Sequence, residues 1–278
     1  LRHLVDRSGV DSSTVDDVIA GCVLQQDQQS SNIARHAVLS AGLPESVPAV
    51  TVDRQCGSGQ QAVSFAAQGV MAGGYDLVIA GGVESMSQVA MPSAFLPGAP
   101  LGPQYSPLEL ERYDGRLMAQ GPSSELMNDR FNLSREELDA YSVRSHERAL
   151  AATRSGAFAK QMVPITADPH DPNGPCITAD EGIREHPDAE KMAGLKTVFA
   201  ENGRTTAANA SQLSDGAAAL LVADRGYAEQ QGLKPRARFR AMSVAAAHPL
   251  IPFTALLPSP PQALKPPGLN VLTLPLIA

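Results

Sequence analysis

Long hydrophobic runs and basic clusters are both missing from this sequence. No apolar stretch approaches the roughly 20 residues that a transmembrane helix needs. The formal net charge of the 278-residue chain is −7, and the lack of a basic run argues against nucleic acid or a membrane surface as a partner. The first residues, Leu1 to Asp6, do not form a signal peptide pattern. We therefore expect neither a membrane span nor a nucleic-acid partner.

Cysteine is scarce as well. Cys22, Cys56 and Cys176 are an odd number of residues without metal-ligand spacing. This pattern indicates a reduced, cytoplasmic protein without a metal site. Cys22 falls within an apolar run, where a free cysteine usually serves as a small core residue. The G-x-G-x-x-G spacing of a dinucleotide site is also absent around Gly81 and Gly82.

One stretch, residues 50–62, combines a short apolar strand, a glycine-rich turn and the start of a helix. Cys56 lies at this corner, just before the predicted helix. Unpaired N–H groups and the helix dipole favour an anion at such a place, so Cys56 is a candidate low-pKa nucleophile. Gly57 and Gly59 allow a tight turn and a close approach to a bound group.

Helix-like and strand-like segments alternate along the chain, which predicts an α/β fold of about two domains. Buried strands are predicted at 18–24, 77–82 and 217–222, with Asp215-Gly216 as a turn. Helices are predicted at 61–71 and about 118–128. A further helix should begin after Ser134, because Glu137 completes a capping box with it, and should end near 155.

Three motifs carry a resemblance to a known family. They are Cys56-Gly57-Ser58-Gly59 followed by Gln61-Ala62, then Gly81-Gly82-Val83-Glu84-Ser85-Met86-Ser87, and then Asn209-Ala210-Ser211 with Asp215-Gly216-Ala217-Ala218. In this order they resemble the thiolases, the acetyl-CoA acyltransferases. The similarity extends from Leu1 to about Val244.

The resemblance implies a thiolase-like α/β fold in three parts. An N-terminal α/β domain would comprise residues 1–90 and 205–240, and a mostly helical, coenzyme A-binding loop domain, 91–204, would be inserted in it. Residues 241–278 would be an irregular, proline-rich remnant of a C-terminal domain that is otherwise absent. We expect a chain truncated at both ends, in which strands 18–24 and 77–82 lack a shared neighbour and the tail is extended.

The resemblance also implies an acyltransferase that acts on acyl-CoA thioesters, by 3-ketoacyl-CoA thiolysis or acetyl-CoA condensation, without a cofactor. Coenzyme A would be a substrate. Cys56 would become acylated, Met118 would lie against the pantetheine, and Arg184 and Ser211 would approach coenzyme A. The family's His-Met-Gly stretch is Leu117-Met118-Ala119 here. A homodimer, a homotetramer or a complementing chain is implied as the assembly.

Other interpretations stay open at this point. The family's Gly-His-Pro and Asn-Glu-Ala-Phe motifs and its second catalytic cysteine do not occur, so we expect the chain to be inactive alone. The alternative is a non-catalytic thiolase-like subunit or scaffold. An unrelated cysteine hydrolase would explain Cys56 but not the motifs at 81–87 and 209–218. A ketosynthase relative usually has a serine-rich loop after its cysteine, unlike Gly57-Ser58-Gly59.

Overall fold

The computed structural model describes residues 1–90, 105–168, 171 and 173–264. Parts of the predicted loop domain (91–104) and tail (265–278) lie outside the described residues. The described α-helices are α1 Arg2–Ser8, α2 Ile33–Ser40, α3 Ser58–Met71, α4 Pro107–Arg112, α5 Gln120–Arg130, α6 Arg135–Arg154, α7 Ala189–Ala193, α8 Arg225–Gln230 and α9 Ser259–Ala263. The described strands are β1 Asp17–Gly21, β2 Ala49–Val52, β3 Leu77–Ser85, β4 Ile165–Thr166, β5 Cys176–Ile177 and β6 Asp215–Ala223.

The main sheet of the described residues has four strands in the order β2-β1-β3-β6. β1 is parallel to both β2 and β3, with Ile19 opposite Val50 and Ala80, whereas β6 is antiparallel to β3. As expected, strands 18–24 and 77–82 share no neighbour among the described strands, and they pair directly with each other. Strand β1 also ends earlier than expected, at Gly21, although the N–H of Cys22 still donates to Val52 at 3.1 Å.

Apolar side chains alternate between the two faces of the sheet and build a core on each. Val18, Leu77 and Ile79 pack with Val38 of α2 on one face, and α1 contributes partly buried leucines there. On the other face, Ile19, Val78 and Ala80 pack with the alanines of α3. Both faces of the central strands are covered, which is why they show no polar alternation.

Strand β6 differs from the buried strand that the sequence predicts. It begins at Asp215, so Asp215 and Gly216 belong to the strand and the predicted turn is wrong. The Asp215 carboxylate accepts hydrogen bonds from Ser85 and from both the N–H and hydroxyl of Ser87, at 3.1, 2.8 and 2.5 Å. These bonds hold the polar end of the β3–β6 ladder together, where Ser85 lies opposite Asp215 and apolar residues no longer pack. Most of β6 is exposed, since it lies at the sheet edge.

The tail from residue 241 was expected to be irregular and extended. Residues 241–250 form neither helix nor strand, but beyond them the expectation was wrong, because a 3-10 helix covers Pro252–Leu256 and α9 covers Ser259–Ala263. The prolines at 252, 260 and 261 lie in the first turns of these helices, where proline's missing N–H costs no helical hydrogen bond.

The described residues divide into two compact units. The first, called the sheet unit here, contains 1–90, Leu213–Ser243 and 263–264, and the second, the helical unit, contains Tyr105–Gln212 and Val244–Gln262. The helical unit has helices α4–α7 and the two-stranded β4–β5 ladder. Helix α6 begins as predicted, with Ser134 and Glu137 forming the capping box. The predicted domain limits at 205 and 241 stay a prediction.

The β3–β6 pairing depends on a glycine, which gives a test of the fold. A Cβ on Gly81 would lie 1.9 Å from the carbonyl oxygen of Ala218, whereas one on Gly216 would meet nothing within 4 Å. We expect Gly81→Ala to lower the free energy of unfolding by about 3 kcal/mol or more, because backbone must move. Gly216→Ala, the matched control, should change it by less than about 0.5 kcal/mol. Urea unfolding measures both, and equal effects would contradict the assigned register.

Candidate active site

The loop that carries Cys56 is fixed by its own hydrogen bonds. The Asp53 carboxylate accepts the N–H of Gln55 at 2.6 Å, and Gln55 takes a left-handed conformation with φ 49°. The buried Ser58 hydroxyl donates to the Gln55 carbonyl at 2.5 Å and accepts the N–H of Arg54 at 2.8 Å. A non-glycine residue persists in this backbone region only when its surroundings hold it there. The corner is therefore a defined loop rather than a free turn.

Cys56 is exposed and lies two residues before Ser58, where α3 begins. Gly57 is the N-cap residue of this 14-residue helix, and no side chain caps it. Within the described part of the chain, no hydrogen bond takes up the N–H of Cys56. The positive end of the helix and a free N–H both favour negative charge beside this thiol.

Three glycines bring the beginning of α3 against the sheet. A Cβ on Gly21 would lie 2.3 Å from the nitrogen of Gly59, so nothing larger fits at the end of β1. A Cβ on Gly82 would lie 3.4 Å from the Gly59 Cα and 2.9 Å from the Gly21 carbonyl. The backbone of β1 and β3 thus packs directly against the start of α3, which follows the Cys56 loop.

A carboxylate in β3 fastens the chain that leaves β1. Glu84 accepts the N–H groups of Val23 and Leu24 at 2.8 and 3.3 Å, and the side-chain amide of Gln29 at 2.9 Å. Gln29 is buried and its side chain accepts the N–H of Ser85 at 2.7 Å. Burial, with the charge of Glu84, raises the pKa of the Cys22 thiol to about 11. Cys22 is a buried core residue as predicted, and it is not a nucleophile.

The other predicted site residues belong to the helical unit. Met118 is half-buried just before α5, and its carbonyl accepts the Tyr105 hydroxyl at 3.3 Å. Arg184 and Ser211 are both exposed. The segments that carry them meet, because the amide of Gln212 donates to the Gly182 carbonyl at 2.6 Å. No hydrogen bond among the described residues joins Met118 to either segment.

Sequence reasoning missed a polar cluster around Glu125 in the helical unit. Glu125 of α5 is 9% exposed and accepts the N–H groups of Arg204 and Thr205 at 2.9 and 2.7 Å, and the amide of Asn128 at 3.0 Å. Burial opposes ionisation of Glu125, but these hydrogen bonds outweigh it and hold its pKa below the ordinary value. The sequence held a signal for this cluster, because α5 has no apolar stripe. The positions that α5 buries are polar instead: Ser123, Glu125 and Asn128.

Among the described residues, no group of three or more histidine, cysteine or acidic side chains is arranged to hold a metal ion. No helix in the described ranges is long and apolar enough to cross a membrane.

The fold is a sheet with helices on both faces, and the candidate site is an exposed cysteine just before α3. Both are features that the resemblance to thiolases implies. The family model for the thiolase N-terminal domain matches residues 1–226, and the chain belongs to the thiolase family. The crystal structure of the Bacillus anthracis acetyl-CoA acetyltransferase superposes with a TM-score of 0.79 at 35% identity, covering 94% of this chain and 68% of that one.

Particular relatives are similar over almost the whole chain. A steroid 3-ketoacyl-CoA thiolase of Mycobacterium tuberculosis is 46% identical over 274 residues, which is 97% of this chain and 66% of that protein. A 3-ketoacyl-CoA thiolase of Bacillus subtilis is 36% identical, covering 98% of this chain and 70% of that protein. The chain thus spans about two thirds of the length of these relatives.

These matches correct the predicted extent of similarity. Since 97% or more of the chain is aligned, the resemblance continues well past Val244, where the sequence reasoning ended it. The prolines after 249 misled that reasoning, because they were taken to exclude helices that in fact begin with them.

The two sulfur environments predict different reactivities. We expect iodoacetamide at mildly alkaline pH to label Cys56 and Cys176, which are exposed, and to spare Cys22, whose burial keeps it a neutral thiol. Peptide mass spectrometry before and after unfolding in urea measures this, and Cys22 should react only after unfolding. Labelling of Cys22 in the folded chain would contradict the assigned Glu84 network.

Glu125 predicts a pH-dependent stability. Its folded-state pKa is lowered, so its contribution is present above the unfolded pKa and is lost as pH falls through the folded pKa. We expect Glu125→Gln to lower the free energy of unfolding by about 1–3 kcal/mol at neutral pH, and the gap to wild type to close towards pH ~3. Glu147→Gln, on the exposed side of α6, is the control. A pH-independent gap in urea unfolding would contradict an ionised Glu125.

Proposed function

We propose that this chain provides the acyl-accepting cysteine of a thiolase-type acyltransferase. The observation that supports this best is the place of Cys56: exposed, before the uncapped N-terminus of α3, in a loop held rigid by Asp53 and Ser58. In such acyl transfers the thiolate of a cysteine is the group that attacks the carbonyl carbon. The family membership adds coenzyme A thioesters as the substrate class.

In the thiolytic direction, the Cys56 sulfur attacks the 3-keto carbon of a 3-ketoacyl-CoA. The bond between C2 and C3 breaks, and its electron pair leaves with acetyl-CoA, which takes up a proton. The thiol of a second coenzyme A then attacks the acyl-cysteine, loses its proton and carries the acyl group away. Condensation of two acetyl-CoA molecules is the reverse. The N–H of Cys56, at the helix start, is proposed to help form the oxyanion hole.

Coenzyme A is proposed to lie along the helical unit. Ser211 offers a hydroxyl and Arg184 a guanidinium, which suits phosphate. Both are exposed, and the hydrogen bond from Gln212 to Gly182 ties their segments together. Met118 is proposed to pack against the pantetheine arm. The relatives named as 3-ketoacyl-CoA thiolases favour a 3-ketoacyl-CoA over a simple ester. The cytoplasmic location and homo-oligomeric assembly stay predictions.

The experiment that tests this proposal follows the acyl group. Purified chain is incubated with acetyl-CoA and analysed by intact and peptide mass spectrometry, without reducing thiols. We expect an acetyl adduct on Cys56, lost in Cys56→Ala and kept in Cys176→Ala, the control with the other exposed thiol removed. An adduct-free Cys56 would favour the alternative, a non-catalytic subunit or scaffold. Turnover of acetoacetyl-CoA, measured separately, shows whether the chain completes the cycle.

A further inference from the structure

A pair of charged side chains on α6 connects the parts of the helical unit that are proposed to hold coenzyme A. Arg135 and Asp139 form an ion pair of 2.8 Å, and their side chains are only 19% and 15% exposed. Because the pair is partly buried, solvent screens it less than a surface ion pair.

Each member of the pair also binds a distant segment. Arg135 donates to the carbonyl oxygens of Met192 and Leu195, which precede Lys196. Asp139 accepts the side-chain amide of Asn209 at 2.8 Å, two residues before Ser211. The guanidinium of Arg135 and the carboxylate of Asp139 therefore bind each other, and each also binds one of the two segments.

The two segments belong to one hairpin-like loop, residues 192–211, which begins in the last turn of α7 and is called the hairpin here. Its two arms meet at an isolated antiparallel bridge between Thr197 and Thr206, where the N–H of Val198 donates to the Thr205 carbonyl at 3.0 Å. Asn209 fixes the second arm, because it donates to the Arg204 carbonyl at 3.1 Å and accepts the N–H of Thr206 at 2.8 Å. The hairpin's own bonds set its shape, and the Arg135–Asp139 pair sets its place on α6.

We propose that Arg135 and Asp139 are positioning residues that hold this hairpin so that two of its exposed side chains, Ser211 and the cationic Lys196, which suits phosphate, bind coenzyme A together. The inference rests on the proposed function. A buried ion pair adds little net stability compared with apolar packing. Its effect here is geometrical: it fixes two backbone segments, 60 and 70 residues away along the chain, to one helix turn.

Asp139→Asn tests the proposal, because it keeps the shape of the side chain and removes the charge opposite Arg135. We expect coenzyme A to bind about tenfold more weakly by calorimetry. Acylation of Cys56 by acetyl-CoA should need correspondingly more substrate. Acylation by the acetyl thioester of N-acetylcysteamine, which lacks the nucleotide, should be unchanged. A merely structural defect would weaken acylation by both thioesters, so a loss confined to acetyl-CoA indicates a positioning role.

Asp114→Asn is the matched control, since it removes an acid from an exposed ion pair with Arg116 in the same unit. It should leave both thioesters unaffected. If Asp139→Asn does not fold, Arg135→Lys replaces it, because lysine keeps the charge but cannot reach both carbonyls and Asp139 at once. It should show the same selective loss.

The outcomes separate the two proposals. Unchanged coenzyme A affinity in a folded variant, or equal loss with both thioesters, overturns the positioning role. A wild-type chain that binds no coenzyme A overturns this inference together with the coenzyme site. Selective loss of coenzyme A affinity in the variant, with no acetyl adduct on wild-type Cys56, supports the positioning role and overturns only the acyl transfer.

Discussion

The close approach of α3 to the ends of β1 and β3 is the constraint on which the candidate site depends. Gly21 leaves no room for a Cβ between the end of β1 and the helix start, because that atom would lie 2.3 Å from the nitrogen of Gly59. This contact brings backbone against backbone, so the helix N-terminus cannot move outward without losing it. The alanines of α3 continue the same fit along the helix, since Ala62, Ala66 and Ala67 are all buried against the sheet. This packing and the loop's own hydrogen bonds to Asp53 and Ser58 together give Cys56 its defined position.

Two carboxylates hold segments of the chain that lie outside the strands and helices. Glu84 in the sheet unit and Glu125 in the helical unit use the same chemistry, each accepting two consecutive main-chain N–H groups and one side-chain amide. Buried N–H groups need partners, and an ionised carboxylate satisfies several of them at once. Apolar side chains can fill such space but cannot fix the direction of a loop. Both acids are therefore placed where backbone orientation matters.

Much of the sheet unit could be predicted from the sequence, because its rules are local. Runs of β-branched residues gave the strands around 18 and 77. A local signal also gave one boundary in the helical unit, the start of α6, from the capping box of Ser134 and Glu137. The pairing of β1 with β3 could not be predicted, since strand order is decided by contacts distant in sequence. The helical unit was harder for a physical reason: its order depends on polar bonds such as Asn209 to Asp139, and hydrophobic periodicity carries no signal for these.

The site residues divide in the same way. Cys56 stands out because a strand, glycines and a helix surround it within a dozen residues. Arg184 and Ser211 have no local mark: both are exposed and neither begins a regular element. What distinguishes them is the support behind them, where Gln212 binds Gly182 and Asn209 binds Asp139. A surface that binds a long, flexible coenzyme gains affinity when its loops are ordered beforehand, because these loops then lose no further conformational entropy on binding. Fixed backbone beneath exposed side chains is the arrangement that such binding requires.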